Sequence, residues 1–336
     1  MSHTVLVTGG AGYIGSHMVR MLDQKGYQVV VYDNLQRGNA DAVLAGTLVE
    51  GDLHDTDRLS TLFDNHSIDA VMHFAALAYV GESVHEPGMY YRNNVTGTQC
   101  LVDTMLKHDV KRLVFSSTCA TYGVPESLPI TEQTPQNPIN PYGQSKLMVE
   151  QILKDYAVAH ELRSIALRYF NAAGCSEDTL IGERHDPETH LLPLILFEAL
   201  RVLDGGDPSD TSLLVFGDDF DTRDGTCIRD YIHVNDLCSA HIKAFERMLA
   251  TPEAGAEQFN LGINNGYTVL EAIDICSKVT GVDLQYKMAP RRAGDPPELV
   301  ADASMAMSQL NWRPELSELN HSIEHAWKWF QKHPPK

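Results

Sequence analysis

Long apolar runs are missing from this chain of 336 residues. The nearest approach, Leu191 to Leu200, is interrupted by Pro193 and Glu198, so nothing reaches the ~18 residues a membrane-spanning helix needs. No basic leader with an apolar centre opens the sequence either, and the expectation is a cytoplasmic protein with neither secretion signal nor membrane partner. Positive charge is scarce: 26 Lys and Arg face 45 Asp and Glu, for a formal charge of −19. Without a basic stripe there is no footing for nucleic-acid phosphates. Cysteine is sparse too. Cys100, Cys119, Cys175, Cys227, Cys238 and Cys276 form no C-x-x-C pair, which excludes a zinc ribbon and a disulfide framework and leaves reduced, mostly buried thiols. No metal site is expected. Internal repeats and low-complexity segments are also absent, and the length suffices for one large or two moderate domains.

What is present starts at residue 4. Thr4 to Thr8 is a short β-branched run, followed by Gly9-Gly10-Ala11-Gly12-Tyr13-Ile14-Gly15 and a helical pattern through Ile14, Met18, Val19 and Leu22. Strand, glycine turn and helix in this order suit a dinucleotide pyrophosphate, because glycines admit the phosphates and the helix start offers free N–H groups. The spacing G-x-x-G-x-x-G is a variant of the commoner G-x-G-x-x-G. A second strand, Tyr27 to Tyr32, ends at Asp33, 18 residues beyond Gly15. A carboxylate there accepts from ribose hydroxyls and repels a 2′-phosphate, which favours NAD over NADP. Arg37 is read as a solvated loop residue.

Strands and helices then alternate. Val43 to Leu53, Asp69 to Ala76, Arg112 to Ser117 and Leu162 to Phe170 read as strands, with helices near 93–107 and 141–159. Alternation of this kind implies an α/β fold with a Rossmann-type doubly wound parallel sheet, whose ligands bind at the carboxyl ends of the strands. Asp52, Ala75-Ala76, Ser116-Ser117 and Asn171 all fall at such ends, and His73 reads as a core histidine. After Asn171 the alternation fails. We therefore expect a nucleotide domain over 1–170, with a return contribution from about 229–250, and a smaller mixed α/β substrate domain over 171–336. The acidic run Asp218 to Gly225 is expected to be a solvated loop, since a calcium register from Asp219 puts Arg223 at a ligand position.

Tyr142 and Lys146, in Pro-Tyr-Gly-Gln-Ser-Lys, carry the chemistry. Four residues apart on a helix, they share a face. An ammonium beside a phenol favours the phenolate, making the tyrosine a candidate base. Moving a tyrosine from about 10 to near 7 takes roughly 4 kcal/mol, about what one charge supplies at ~4 Å and an effective dielectric near 20.

Twelve segments in order extend this reading: TGGAGYIGSH (8–17), YDNL (32–35), EGDL (50–53), HFAAL (73–77), VGES (80–83), YYRNNVTGT (90–98), SSTCATYG (116–123), PYGQSK (141–146), RYFNAAG (168–174), THLLP (189–193), DGTCIRDYIHV (224–234) and RRAGDPPELVADAS (291–304). By these the chain resembles the extended short-chain dehydrogenase/reductase family, the last three segments pointing to its members that act at C4 of UDP-hexoses. The resemblance implies an isomerase that interconverts UDP-galactose and UDP-glucose through a transient 4-keto sugar and bound NADH. It makes Tyr142 the base, with Lys146 and the oxidised nicotinamide cation acting together against the cost of burial to lower its pKa, and Thr118 the hydrogen-bond partner of the C4 oxygen. It assigns NAD to Gly9, Gly12, Tyr13, Ile14, Asp33, Asn34, Leu35, Asp52, Leu53, Phe74, Ala75, Ala76, Asn93, Ser116 and Tyr169, with Tyr142 and Lys146. It assigns the UDP-sugar to Thr118, Asn171, His190, Phe216, Arg229, Tyr231, Val269, Arg292, Asp295 and Leu299. A homodimer through the helices near 93–107 and 142–159 is implied as well. Ala78 stands where some relatives carry lysine, and His190 where others carry asparagine. Leu299 occupies the position facing the sugar 2-substituent, tyrosine in relatives taking plain hexoses and small in those also taking N-acetylated ones. The alternatives are a UDP-N-acetylglucosamine or other UDP-sugar 4-epimerase, a 4,6-dehydratase and a silent NAD-binding scaffold. The dehydratase lacks its Asp-Glu pair, since Cys119-Ala120 follows Thr118, and a scaffold would not need both Tyr142 and Lys146.

Overall fold

The computed structural model describes residues 3–251, 253–292 and 295–335. Ala293 and Gly294, inside the last of the twelve segments, lie outside the described residues. Seven parallel strands form the central sheet, in spatial order Thr47–Glu50, Gln28–Asp33, Thr4–Thr8, Ala70–His73, Arg112–Ser116, Arg163–Tyr169 and Gly255–Leu261. Strand order reverses between Thr4–Thr8 and Ala70–His73, the switch point where open α/β sheets take their ligands.

Both faces are covered. On one, Val5, Met72, Val114 and Ile165 share a core with Leu237 and Phe245 of the helix Val234–Ala250; on the other, Leu6, Val30 and Leu113 pack with Leu101, Val149 and Leu153. That is why these strands are unbroken apolar runs rather than alternating ones. A second core joins Leu192 and Leu196 of the helix Leu191–Leu203, Ile273 of Val269–Thr280, and Ile323 and Trp329 of Leu319–Lys332.

Four expectations change. The strand expected over Val43 to Leu53 is only Thr47–Glu50, an edge strand with no fully buried side chain. The helix expected near 93–107 begins as a π-helical turn, Tyr91–Thr96, before the α-helix Gly97–Lys107; such turns often occur at functional positions. The return to the sheet goes beyond 229–250, because Gly255–Leu261 pairs with Arg163–Tyr169 along its whole length. Glu257, Gln258 and Asn260 disguise that strand, leaving only Phe259 and Leu261 as an apolar signal. The acidic run exposes Asp218, Asp219 and Asp221 as a solvated loop should, yet it is anchored. Phe220 is buried, Asp224 accepts from the Thr226 amide (2.9 Å) and from the Thr268 hydroxyl, and Arg223 pairs with Glu271. Among the described residues no helix is long and apolar enough to cross a membrane.

Candidate active site

Backbone contact alone dictates the glycine turn. Gly9 adopts φ +72°, donates to the Tyr32 carbonyl (2.9 Å) and accepts from the Gly12 amide (3.1 Å). A Cβ on Gly9 would sit 2.5 Å from the Ala75 nitrogen, and one on Gly15 would run into the Gly9 carbonyl. Gly12 starts the helix Tyr13–Gln24 with no side-chain cap, which leaves first-turn N–H groups for an anion. Tyr13 donates its hydroxyl to the Gly174 carbonyl (2.6 Å), and Ile14 packs its side chain on the core.

Asp33 ends the second strand. Its Oδ2 accepts from the Ala11 amide and its Oδ1 from Leu35, each at 2.9 Å, and burial raises the carboxyl above its ordinary value against both bonds. Leu35 has φ +57°, Asn34 donates to Asp52 (2.8 Å), and Leu53 is buried. Phe74 donates its amide to the Thr8 carbonyl (2.9 Å) and precedes Ala75 and Ala76 at the switch point. Asn93, in the π-turn, donates to Asn94 Oδ1 (2.9 Å). An uncapped helix start, a turn that no Cβ could enter and a buried carboxylate at the second strand end are what NAD requires, and these residues fit it.

Asn140 and Pro141 set the reactive pair. Asn140 caps the helix Pro141–His160 by accepting from the Gly143 amide (2.8 Å), which puts Tyr142 in the first turn and Lys146 one turn later. Both are buried. Lys146 Nζ donates to the Ser116 carbonyl (2.8 Å) and lies 6.0 Å from the Tyr142 ring centre. Without the cofactor's charge the ammonium does not bring the phenol down. Burial pushes the Tyr142 phenol well above its ordinary range, a neighbouring Tyr169 adds to this, and a hydrogen bond with the Thr118 hydroxyl pulls the other way. Burial also draws Lys146 down to about 7, with Glu150 pulling the other way. Ser116 Oγ lies 2.7 Å from the Tyr169 hydroxyl, whose pKa burial raises to about 12. His73, between the hydroxyls of Thr8 (2.6 Å) and Thr98 (2.8 Å), is a neutral core residue as expected.

On the facing side, Arg229 and Leu299 are register partners in a short parallel ladder. Arg229 donates to Asp295 Oδ1 (2.7 Å) and to the Pro296 carbonyl (3.0 Å), while Arg292 stacks on the Phe216 ring at 3.9 Å. Leu299 packs against the cluster of Tyr122, Ile130 and Phe170. Asn171 donates to the Asp230 carbonyl (3.0 Å). Tyr231 and Val269 are buried in the second core, so their side chains serve packing. His190 Nδ1 faces Glu188 (2.7 Å) and Glu183 (3.1 Å) rather than an open anion site.

Three features escaped the sequence reading. Asn94, 2% exposed, accepts from the Leu77 amide (2.9 Å) and donates to the Leu77 carbonyl and Ser145 Oγ (3.0 Å each), tying the fourth-strand loop to the reactive helix. Glu150, one turn beyond Lys146, accepts from Ser117 (2.6 Å) and from the fully buried Arg168 (2.5 and 2.9 Å). Glu183 and His185 join Glu188 and His190 in one cluster, where only His190 had been considered. Adjacent asparagines and the spacing E-x-H-x-x-E-x-H were the available signals.

Such a cradle at the switch point, facing a tyrosine and lysine on one helix, puts the chain in the Rossmann class of dinucleotide-binding proteins. The NAD dependent epimerase/dehydratase family matches residues 5–262, and the chain belongs to that family. It is 48% identical over 330 residues to the UDP-glucose 4-epimerase of Halalkalibacterium halodurans, covering 98% of this chain and 96% of that protein. The crystal structure of the Brucella ovis UDP-glucose 4-epimerase in complex with NAD superposes with a TM-score of 0.92 at 49% identity, covering 98% of both chains. A UDP-glucose 4-epimerase from Bifidobacterium longum, in complex with NAD+ and UDP, is 39% identical with a TM-score of 0.90, covering 98% of this chain and 99% of that one.

Proposed function

We propose that this chain interconverts UDP-galactose and UDP-glucose by epimerising C4, with NAD as its resident cofactor. The observation that carries this is an intact Tyr142, Lys146 and Thr118 beside the switch point, in a chain that matches a UDP-glucose 4-epimerase over 98% of its length. NAD, when bound, supplies the two-electron acceptor and donor and a positive charge next to the phenol. Tyr142 removes the C4 hydroxyl proton and returns it after the keto sugar has turned its other face. Thr118 holds the C4 oxygen, and Lys146, moored on the Ser116 carbonyl, fixes the nicotinamide ribose. Arg229 and Arg292 hold the diphosphate, for which planar guanidinium forks are suited. The same reading divides the chain into a nucleotide domain over 1–170, with a return contribution from about 229–250 that extends through 255–261, and a mainly UDP-sugar domain in the rest of 171–336, and puts the protein in the cytoplasm with its thiols reduced.

Leu299 sets the sugar preference. An acetamido group adds three heavy atoms beyond the hydroxyl oxygen, and a packed site resists such additions by roughly 1–3 kcal/mol. UDP-galactose should therefore turn over about 5- to 150-fold more efficiently than UDP-N-acetylgalactosamine. Coupled assays on both substrates should show Leu299→Ser raising the second activity selectively and Leu299→Tyr removing it. Equal kcat/KM for the two sugars in the parent would count against the gate; no turnover of either would count against the function.

The assembly is proposed to be a homodimer. Met148 (41% exposed) and Val158 (89% exposed) leave apolar side chains bare on the helix Pro141–His160, and a two-fold partner would cover them. Sedimentation at micromolar concentration should give twice the chain mass; a monomer there refutes the pairing.

A further inference from the structure

Four side chains with ligand chemistry converge in the irregular segment before the helix Leu191–Leu203. One ligand atom from each of Glu183, His185, Glu188 and His190 lies within 4.8 Å of the other three. Both imidazoles present Nδ1 to the same point. His185 Nδ1 is 3.0 Å from Glu183 Oε1 and 3.5 Å from Glu188 Oε2, and His190 Nδ1 is 3.1 Å from Glu183 Oε1 and 2.7 Å from Glu188 Oε1. Tetrahedral ligands about 2.1 Å from a zinc ion stand about 3.4 Å apart, so the 2.7–3.5 Å His–Glu separations bracket that spacing and side-chain rotations would bring the set to it.

Glu188 supplies an independent sign. Its side chain is 5% exposed, and its Oε1 is fixed by the amides of Thr189 (2.7 Å) and His190 (2.8 Å). Its Oε2 is buried and makes no well-aligned hydrogen bond, its nearest partner being His185 Nδ1 at 3.5 Å. A buried carboxylate oxygen left in this way is costly, and an ion is among the standard reasons for one. The surroundings are rigid: the Trp329 indole holds the Glu183 carbonyl (2.9 Å), and the rings of Tyr13 and Tyr79 flank His185 at 6.1 and 5.9 Å.

We propose that Glu183, His185, Glu188 and His190 bind one divalent transition cation of borderline softness, Zn2+ being the best match to two imidazole nitrogens and two carboxylate oxygens. Two imidazoles disfavour Ca2+ and Mg2+, and the lack of a thiolate disfavours soft cations. The ion clips an eight-residue loop closed and fixes His190 at the start of the substrate-side helix. Without the ion the same groups form imidazole–carboxylate pairs. The imidazoles must be deprotonated to take a cation, so uptake should rise with pH.

The test uses the full-length chain, stripped with chelator, equilibrated with micromolar Zn2+, desalted and assayed for metal. The parent should hold one zinc per chain, Co2+ in its place should give the visible absorption of a four- or five-coordinate site, and Zn2+ should raise the thermal midpoint. Glu188→Gln and His185→Gln should weaken zinc uptake by about tenfold or more and abolish the zinc-dependent rise in midpoint. Glu188→Gln is isosteric and keeps the acceptor for both amides, and unfolding without metal checks that each variant is folded. Failure of the parent to retain zinc, or equal retention by both folded variants, overturns the site.

Discussion

Replacing Tyr142 with phenylalanine should lower kcat by about 10² or more, the usual contribution of a positioned acid–base group, while the protein still purifies with NAD. The substitution removes one oxygen from a buried ring and leaves the cap on Asn140 and the Lys146–Ser116 bond in place, so fold and cofactor content should survive. Burial holds the free phenol well up and Lys146 is moored on the Ser116 carbonyl, so the positive charge of the bound cofactor should add to that of the ammonium in drawing the proton from Tyr142. Activity should depend on bound cofactor even for the proton transfer. Turnover of UDP-galactose by Tyr142→Phe within a few-fold of the parent would remove Tyr142 from the reaction.

The largest stability effect is expected at Glu150. Its carboxylate and the Arg168 guanidinium are 0% and 2% exposed, joined at 2.5 Å, and Arg168 also donates to the Tyr122 hydroxyl (2.8 Å), which donates to Asn260 (2.6 Å). Removing one member of such a pair strands a buried charge, at a typical cost of 3–5 kcal/mol. Glu150→Ala should lower the unfolding free energy by about that much, seen as a lower denaturant midpoint with the slope m unchanged. The double replacement Glu150→Met with Arg168→Met should recover most of the loss, since it removes both charges and refills the space. A Glu150→Ala protein within about 1 kcal/mol of the parent would mean that water already reaches the pair.

Those two predictions rest on residues of different legibility. Tyr142, Lys146 and the glycines belong to short segments whose geometry is local, so helix spacing and turn chemistry expose them in the sequence. Five strands of the sheet are legible for a related reason: buried on both faces, each carries an apolar run, which the edge strand Thr47–Glu50 does not. Gly255–Leu261 is not legible, because at the sheet edge only Phe259 and Leu261 must be apolar. Glu150, Arg168, Glu188 and Asn94 read as surface residues by type, and nothing local reveals that distant strands close over them. The same limit applies to Lys146, whose spacing from Tyr142 is a sequence property but whose mooring on Ser116 is a tertiary one.

The late arrival of the helix Val234–Ala250 and the strand Gly255–Leu261 has a consequence for synthesis of the chain. Six strands can pair once Arg163–Tyr169 has been made, yet the helix that shares a core with Val5, Met72, Val114 and Ile165 starts only at residue 234. At roughly 5–20 residues per second that interval lasts roughly 3–13 s. Throughout it the nascent chain presents a sheet face covered only in part, by the helix Tyr13–Gln24, and an open strand edge, the kind of surface that aggregates or recruits chaperones. Threading the nucleotide-binding half through the other half thus makes the maturation of the cofactor cradle wait on almost the whole message being read.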